Sequence, residues 1–307
     1  MANNYFRKYS LAATLSCAAI LVCSAFVSQP VAADETCNSP YMSNLIKGQE
    51  DFAYVWTLGV RGMGDGFDKL VTVDVNPMSK NYGKVIARIS VGARGEAHHT
   101  GFTDDRRFLW AGGLDDSQIY VFDIHSDPAR PKLVKTISDF AGKSGLVGPH
   151  TFYALPGRML VGALSNTKDH GGATGMALYS NKGEFLSKYN MPTTQGGDGY
   201  GYDIGINPAM NALLTSSFTG WNNYMMDFGK LLKDPSAIKH FGNTMVMWNL
   251  KTMQPEKIMQ VPGAPLEVRW SLKEGDSWAI TATALTSKLW LVKKDARGEW
   301  QARDVGN

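Results

Sequence analysis

His98-His99-Thr100-Gly101-Phe102-Thr103-Asp104-Asp105-Arg106-Arg107-Phe108-Leu109-Trp110, followed after a gap by Gln118-Ile119-Tyr120-Val121-Phe122-Asp123, is the stretch whose reading decides the fold. It reads as strand, tight polar turn, strand, loop, strand, and Pro131 to Ile137 adds a fourth strand. The same unit returns from His150-Thr151-Phe152, with Arg158 to Leu164 and Gly175 to Tyr179 behind it. A third begins at Tyr202-Asp203-Ile204 and continues through Ala212-Leu213-Leu214 and Thr244 to Asn249. A fourth begins at Glu267-Val268-Arg269-Trp270 and continues through Trp278-Ala279-Ile280 and Leu289 to Val292. Four-strand units at a period of roughly 50 residues are the pattern of β-propeller blades, with kelch-like rather than WD spacing. A β-sandwich would also supply antiparallel strands, but it needs no such repeat. The expected fold is therefore all-β, a β-propeller with about five blades' worth of chain.

In a propeller the first strand of each blade lines the central channel. His98 and His99, His150, Tyr202 and Asp203, and Glu267 and Arg269 all fall near the start of that strand, so polar groups from successive blades ring one axis. Imidazole is the commonest side-chain ligand of copper and zinc, and three converging histidines would form a metal site. Adjacent strand residues point to opposite faces. His98 and His99 can both serve as ligands only where the strand is bulged or bent.

Composition is that of an ordinary globular protein: 307 residues, 44% hydrophobic and 19% charged. Arg7 and Lys8 supply two of the formal +3 charges and no acid precedes Asp34, which leaves about +1 elsewhere and no basic footprint for nucleic acid. Arg7-Lys8, the uncharged run Leu11 to Val27, and Val31-Ala32-Ala33 read as a secretory signal over 1–33, cleaved after Ala33. The run falls short of the ~20 apolar residues of a spanning helix, so no stable membrane insertion is expected after cleavage. The organisation read is signal 1–33 and propeller 34–307, in a periplasmic protein. Cys17 and Cys23 leave with the signal, and Cys37 alone cannot form an internal disulfide.

Other candidates read as bland. His125 lies in a turn, His170 in the Gly-rich run Asp169-His170-Gly171-Gly172, and His240 has no counterpart in the other units. The strand tryptophans Trp110, Trp248, Trp270, Trp278 and Trp290 read as packing between sheets. Gly196-Gly197-Asp198-Gly199-Tyr200-Gly201 has no helix after it and reads as a loop between blades, not a nucleotide site. Short helices are expected over Tyr41 to Gln49 and Met226 to Lys239.

Cys37-Asn38-Ser39-Pro40-Tyr41, Leu70-Val71-Thr72-Val73-Asp74-Val75-Asn76-Pro77, Ala97-His98-His99-Thr100-Gly101, Gln118 to Asp123 with Pro131-Lys132-Leu133, Gly201-Tyr202-Asp203 and Pro265-Leu266-Glu267-Val268-Arg269 together resemble the selenium-binding protein family, which includes methanethiol oxidase. The resemblance runs in register from about Cys37 to the C-terminus. It implies a seven-bladed propeller and, for exported bacterial members, a copper enzyme that oxidises methanethiol with O2 and water to formaldehyde, hydrogen sulfide and hydrogen peroxide. On that reading His98, His99 and His150 are copper ligands, and Asp203 and Glu267 move protons or orient a ligand imidazole. Family members continue for roughly two more blades with a further histidine, so the propeller is expected to be incomplete at its C-terminus. An open arc would present an unpaired edge and invite closure as a homo-oligomer. The alternatives are a non-catalytic selenium- or copper-binding propeller, or an inactive truncated member. The animal members' selenium-associated cysteine falls where Gly83 stands here, so selenium binding through that thiol does not transfer.

Overall fold

The computed structural model describes residues 39–45, 48–271, 273 and 275–306. The expected signal over 1–33 and all three cysteines lie outside these residues. The chain divides into two units, 1–31 and 32–307, and the account below concerns the second. Among the described residues no helix is long and apolar enough to cross a membrane.

Among the described residues nineteen strands form five antiparallel sheets, each ordered as in the chain. The first holds β1 (Phe52–Thr57), β2 (Lys69–Asp74) and β3 (Val85–Ser90). The second holds β4 (Ala97–Phe102), β5 (Phe108–Gly113), β6 (Gln118–Asp123) and β7 (Lys132–Ile137). The third holds β8 (Leu146–Leu155), β9 (Arg158–Asn166), β10 (Gly175–Ser180) and β11 (Phe185–Asn190). The fourth holds β12 (Ile204–Asn207), β13 (Ala212–Thr215), β14 (Thr244–Asn249) and β15 (Gln254–Gln260). The fifth holds β16 (Pro265–Trp270), β17 (Trp278–Thr283), β18 (Leu289–Lys294) and β19 (Trp300–Gly306). These sheets are propeller blades, in agreement with the repeat. The three-stranded first blade corresponds to the second, third and fourth strands of the others: Leu70 to Asp74 of β2 reads like Ile119 to Asp123 of β6, and β3 leads to β4 through the short link 91–96.

Where two blades face each other the contact is apolar, because alternate strand residues point at the neighbouring blade. Blades two and three share a core of Trp110, Ile119, Phe140, Phe152, Met159 and Tyr179, with Trp110 and Tyr179 in edge contact at 6.0 Å. Blades three and four bury Leu160, Ile204, Leu213 and Trp248, and blades four and five bury Met247, Val268, Trp270 and Trp300. Inner strands approach closely at Gly101, where a Cβ would stand 2.3 Å from the Phe152 carbonyl oxygen. Any side chain there would drive β4 and β8 apart and displace the histidines they carry.

A short 3-10 segment over Pro40–Leu45 stands at the first expected helix; α1 (Phe140–Ser144) and α2 (Trp221–Tyr224) were not expected; and the second expected helix breaks into the single turns α3 (Phe228–Leu231) and α4 (Pro235–Ile238). Asp234 caps α4 by accepting from the Ser236 and Ala237 amides, and Pro235 opens it. His125 and His170 are exposed, as their loop settings suggested, and His240 is exposed too.

Candidate metal centre

The site is built by one backbone device used four times. Along β4, Ala97 pairs with Gly113 and Thr100 with Ala111, so three steps on β4 face two on β5 and one extra residue bulges out at His98-His99. Along β8 the pairs Pro149–Ala163 and Phe152–Val161 bracket an identical bulge at His150-Thr151. Along β16 the pairs Pro265–Thr283 and Val268–Thr281 bracket one at Leu266-Glu267. Ahead of β12, Tyr202 and Asp203 both face Ser216: the Tyr202 amide donates to the Ser216 carbonyl at 3.1 Å, and the Ser216 amide donates to the Asp203 carbonyl at 3.2 Å. A bulge breaks the two-residue alternation, which lets consecutive side chains aim at one side. The condition for His98 and His99 to act together is met.

Ligand nitrogens of His98, His99 and His150 lie within 4.8 Å of one another. Ring centroids are 4.6 Å apart for His98 and His99, 4.7 Å for His98 and His150, and 4.3 Å for His99 and His150. Nε2 of His98 and Nε2 of His150 are 3.0 Å apart. His150 is fully buried, and its Nδ1 lies 3.1 Å from the Tyr202 carbonyl oxygen and 3.1 Å from Thr151 Oγ1. A carbonyl only accepts, so Nδ1 carries the proton and the Nε2 lone pair faces the other two rings. This is the tautomer that ligates through Nε2, held by an outer partner. Burial is the main force lowering all three imidazoles: His99 is pushed down to about 4, His98 is lowered, and His150 is held well below 6.5 with help from its two neighbours. Neutral imidazoles with converging lone pairs fit a transition metal ion.

Asp203 and Glu267 come from blades four and five and have different partners. Asp203 is buried and accepts from the Val268 amide at 2.8 Å and from Arg269 Nη1 at 2.7 Å, while Arg269 Nη2 donates to Glu267. Asp203 also faces blade three. It reaches His150 through Thr151, whose hydroxyl contacts the Tyr202 carbonyl at 3.0 Å and Asp203 Oδ1 at 3.3 Å. Burial raises Asp203 to about 7, and the charge of Glu267 adds to the rise. Glu267 also acts on His98 and His99 through its charge, opposing their fall. Thr151 was missed by sequence reasoning, although its place in the repeat beside His150 matches that of His99, Asp203 and Glu267. Tyr202 places its ring 4.2 Å from that of His150. Glu96, two residues before His98, takes a hydrogen bond from the Tyr224 hydroxyl and, after burial, is the main cause of Asp115 rising to about 6. No sequence signal pointed to that pairing, because its partners lie on different blades.

The family described as 56kDa selenium binding protein (SBP56) matches residues 31–307. The methanethiol oxidase of Hyphomicrobium sp is 69% identical over 274 residues, which cover 89% of this chain and 63% of that protein. The methanethiol oxidase of Ruegeria pomeroyi is 56% identical over 290 residues, covering 90% and 66%. The chain thus spans just under two thirds of the length of these relatives. The X-ray structure of a hypothetical selenium-binding protein from Sulfolobus tokodaii superposes with a TM-score of 0.76 at 24% identity, covering 88% of this chain and 63% of that one. The propeller fold is shared with that structure.

Proposed function

This chain belongs to the 56kDa selenium binding protein family, and on that premise we propose that it serves methanethiol oxidation: methanethiol, O2 and water to formaldehyde, hydrogen sulfide and hydrogen peroxide. The observation that carries the reading is the buried convergence of His98, His99 and His150, in a chain 69% identical to a protein named methanethiol oxidase. Copper is the metal assigned, held by those three imidazoles; when bound it would supply a redox centre whose reduced form favours a soft thiolate sulfur.

The chain's own groups prepare that chemistry. The Tyr202 carbonyl fixes His150 as an Nε2 ligand, and the low proton affinity of the rings keeps their lone pairs available at neutral pH. Asp203, near neutrality in its proton affinity, is a group that can hold or release a proton behind Thr151. Glu267 lies nearer the histidines in its electrostatic effect and is held back by Arg269. Residues 1–33 are assigned as the signal that delivers the protein to the periplasm.

Purified protein is expected to hold about one copper per chain, to consume O2 with methanethiol and to release sulfide and peroxide. Copper bound without turnover would favour a binding protein, a reading that the chain's coverage of 63% of its relative keeps in play. Fractionation, with a mature N-terminus at Asp34, checks the location.

A further inference from the structure

Blade four departs from the other blades at the connection between its second and third strands. That connection is 114–117 in blade two, 167–174 in blade three and 284–288 in blade five, but 216–243 in blade four, where it carries α2, α3 and α4. Long excursions of this kind in a compact fold are commonly functional. This one has its own apolar centre, with Leu231, Ala237 and Phe241 packed against Ala264. Inside it the buried Asn223 amide donates to Thr219 Oγ1 at 3.0 Å and to the Ala237 carbonyl at 2.7 Å.

The excursion does not stay over its own blade. The Asn222 amide donates to the His170 carbonyl at 3.3 Å on blade three. Trp221 lies over Gly148, two residues before His150: a Cβ there would meet the indole at 3.2 Å, and Gly148 has a φ of +67° that favours glycine. Tyr224 donates to Glu96, two residues before His98 on blade two. From the triad outward, rings follow one another: Tyr202 sits 4.2 Å from His150, and Phe218 of the excursion sits 5.2 Å from Tyr202. The segment therefore rests on the residues that lead into both histidine-bearing strands, and it walls their end of the channel with aromatic surface.

We propose that residues 216–243 form a selectivity cap over the imidazole triad, whose Trp221 and Phe218, together with Tyr202 against which Phe218 packs, admit a thiol with a small apolar substituent and exclude bulkier ones. The bond from Tyr224 to Glu96 holds the cap against blade two. An apolar wall discriminates by size: a methylene that does not fit is worth roughly tenfold or more in specificity. The substrate class rests on the function proposed above; the cap itself does not.

The test has two readouts. Metal-free protein is treated with diethylpyrocarbonate, and modification of His98 and His99 is followed by peptide mass spectrometry in the wild type, Trp221→Ala and Tyr224→Phe. Both variants are expected to accelerate modification of the pair several-fold, with exposed His125 unchanged as a control for folding. Unchanged rates at the pair in both variants overturn the cap. In copper-loaded protein, Trp221→Ala is expected to raise kcat/KM for 1-butanethiol relative to methanethiol about tenfold, and an unchanged ratio overturns the selectivity role. A wild type that oxidises no thiol overturns the proposed function, while the carbethoxylation rates still decide the cap.

Discussion

The bulges of blades two and three and those of blades four and five share one backbone geometry and carry opposite chemistry. His98-His99 and His150-Thr151 present three imidazoles, neutral, with burial driving off their protons. Tyr202-Asp203 and Leu266-Glu267 present two carboxylates tied together by Arg269. Burial disfavours charge on both sides, so imidazoles fall and Asp203 rises. The consequence differs. An imidazole that sheds its proton gains a lone pair for a metal, whereas a carboxylate in the same surroundings needs a cation or a proton, and Arg269 supplies the cation. The propeller thus places a ligand half beside a proton-holding half, and Thr151 is the link between them.

The sharpest break of this comparison exchanges the roles. His150→Ala is expected to lower copper affinity by more than about 100-fold, beyond the range of losses seen when outer partners of ligands are removed, while Glu267→Gln leaves copper content unchanged; equilibrium dialysis with metal analysis reads both. Copper lost in Glu267→Gln would show that the two halves are not distinct. Next in size, Arg269→Met leaves buried Asp203 without its cation and is expected to cost about 3 kcal/mol in denaturant unfolding. Adding Asp203→Asn to that variant should recover part of the loss, because no buried charge then remains.

Thr151→Val tests the link. Loss of its hydroxyl is expected to cost about 1 kcal/mol and to weaken copper binding roughly tenfold by loosening the carbonyl that orients His150. The smallest effects are in pH. His99 falls from 6.5 to about 4 on folding, so its contribution to metal-free stability is complete above pH 6.5 and is lost as pH falls toward 4. Asp203 rises from 3.8 to about 7, so its contribution is complete below pH 3.8 and is lost as pH rises through 7. In pH-dependent denaturation, His99→Ala should flatten the first slope and Asp203→Asn the second.

The second strands of blades two and three were legible because they are apolar on both faces. Runs such as Phe108 to Gly112 and Arg158 to Leu164 match β5 and β9 nearly to the residue. Three outer strands escaped: β11 alternates half-buried and exposed residues, and β15 and β19 are mostly exposed, so they look like loop in one dimension. β1 escaped because its blade starts without the first-strand pattern that anchored the other repeats. The residues of the site were legible as a set, since His98, His99, His150, Asp203 and Glu267 recur at one place in the unit. Their partners were not. Arg269 was legible as a channel residue, yet nothing in its spacing shows that it bridges Asp203 and Glu267. Residues 216–243 read as little more than a short helix, because the surfaces they rest on belong to blades two and three.

What the amino-acid order determined by itself is the repeat, and with it the all-β class, the blade boundaries and the placement of titratable groups at the start of inner strands. Period and polarity are local properties, and strand pairing within a blade is local too. What only the tertiary structure decided is which way those groups point and what they meet. The extra residue in each inner strand turns His98 and His99 to the same side, burial sets the protons on the imidazoles and on Asp203, and Tyr224 finds Glu96 across 128 positions of sequence. Those outcomes depend on distances between blades, and such distances exist only once the sheets have packed around a common axis.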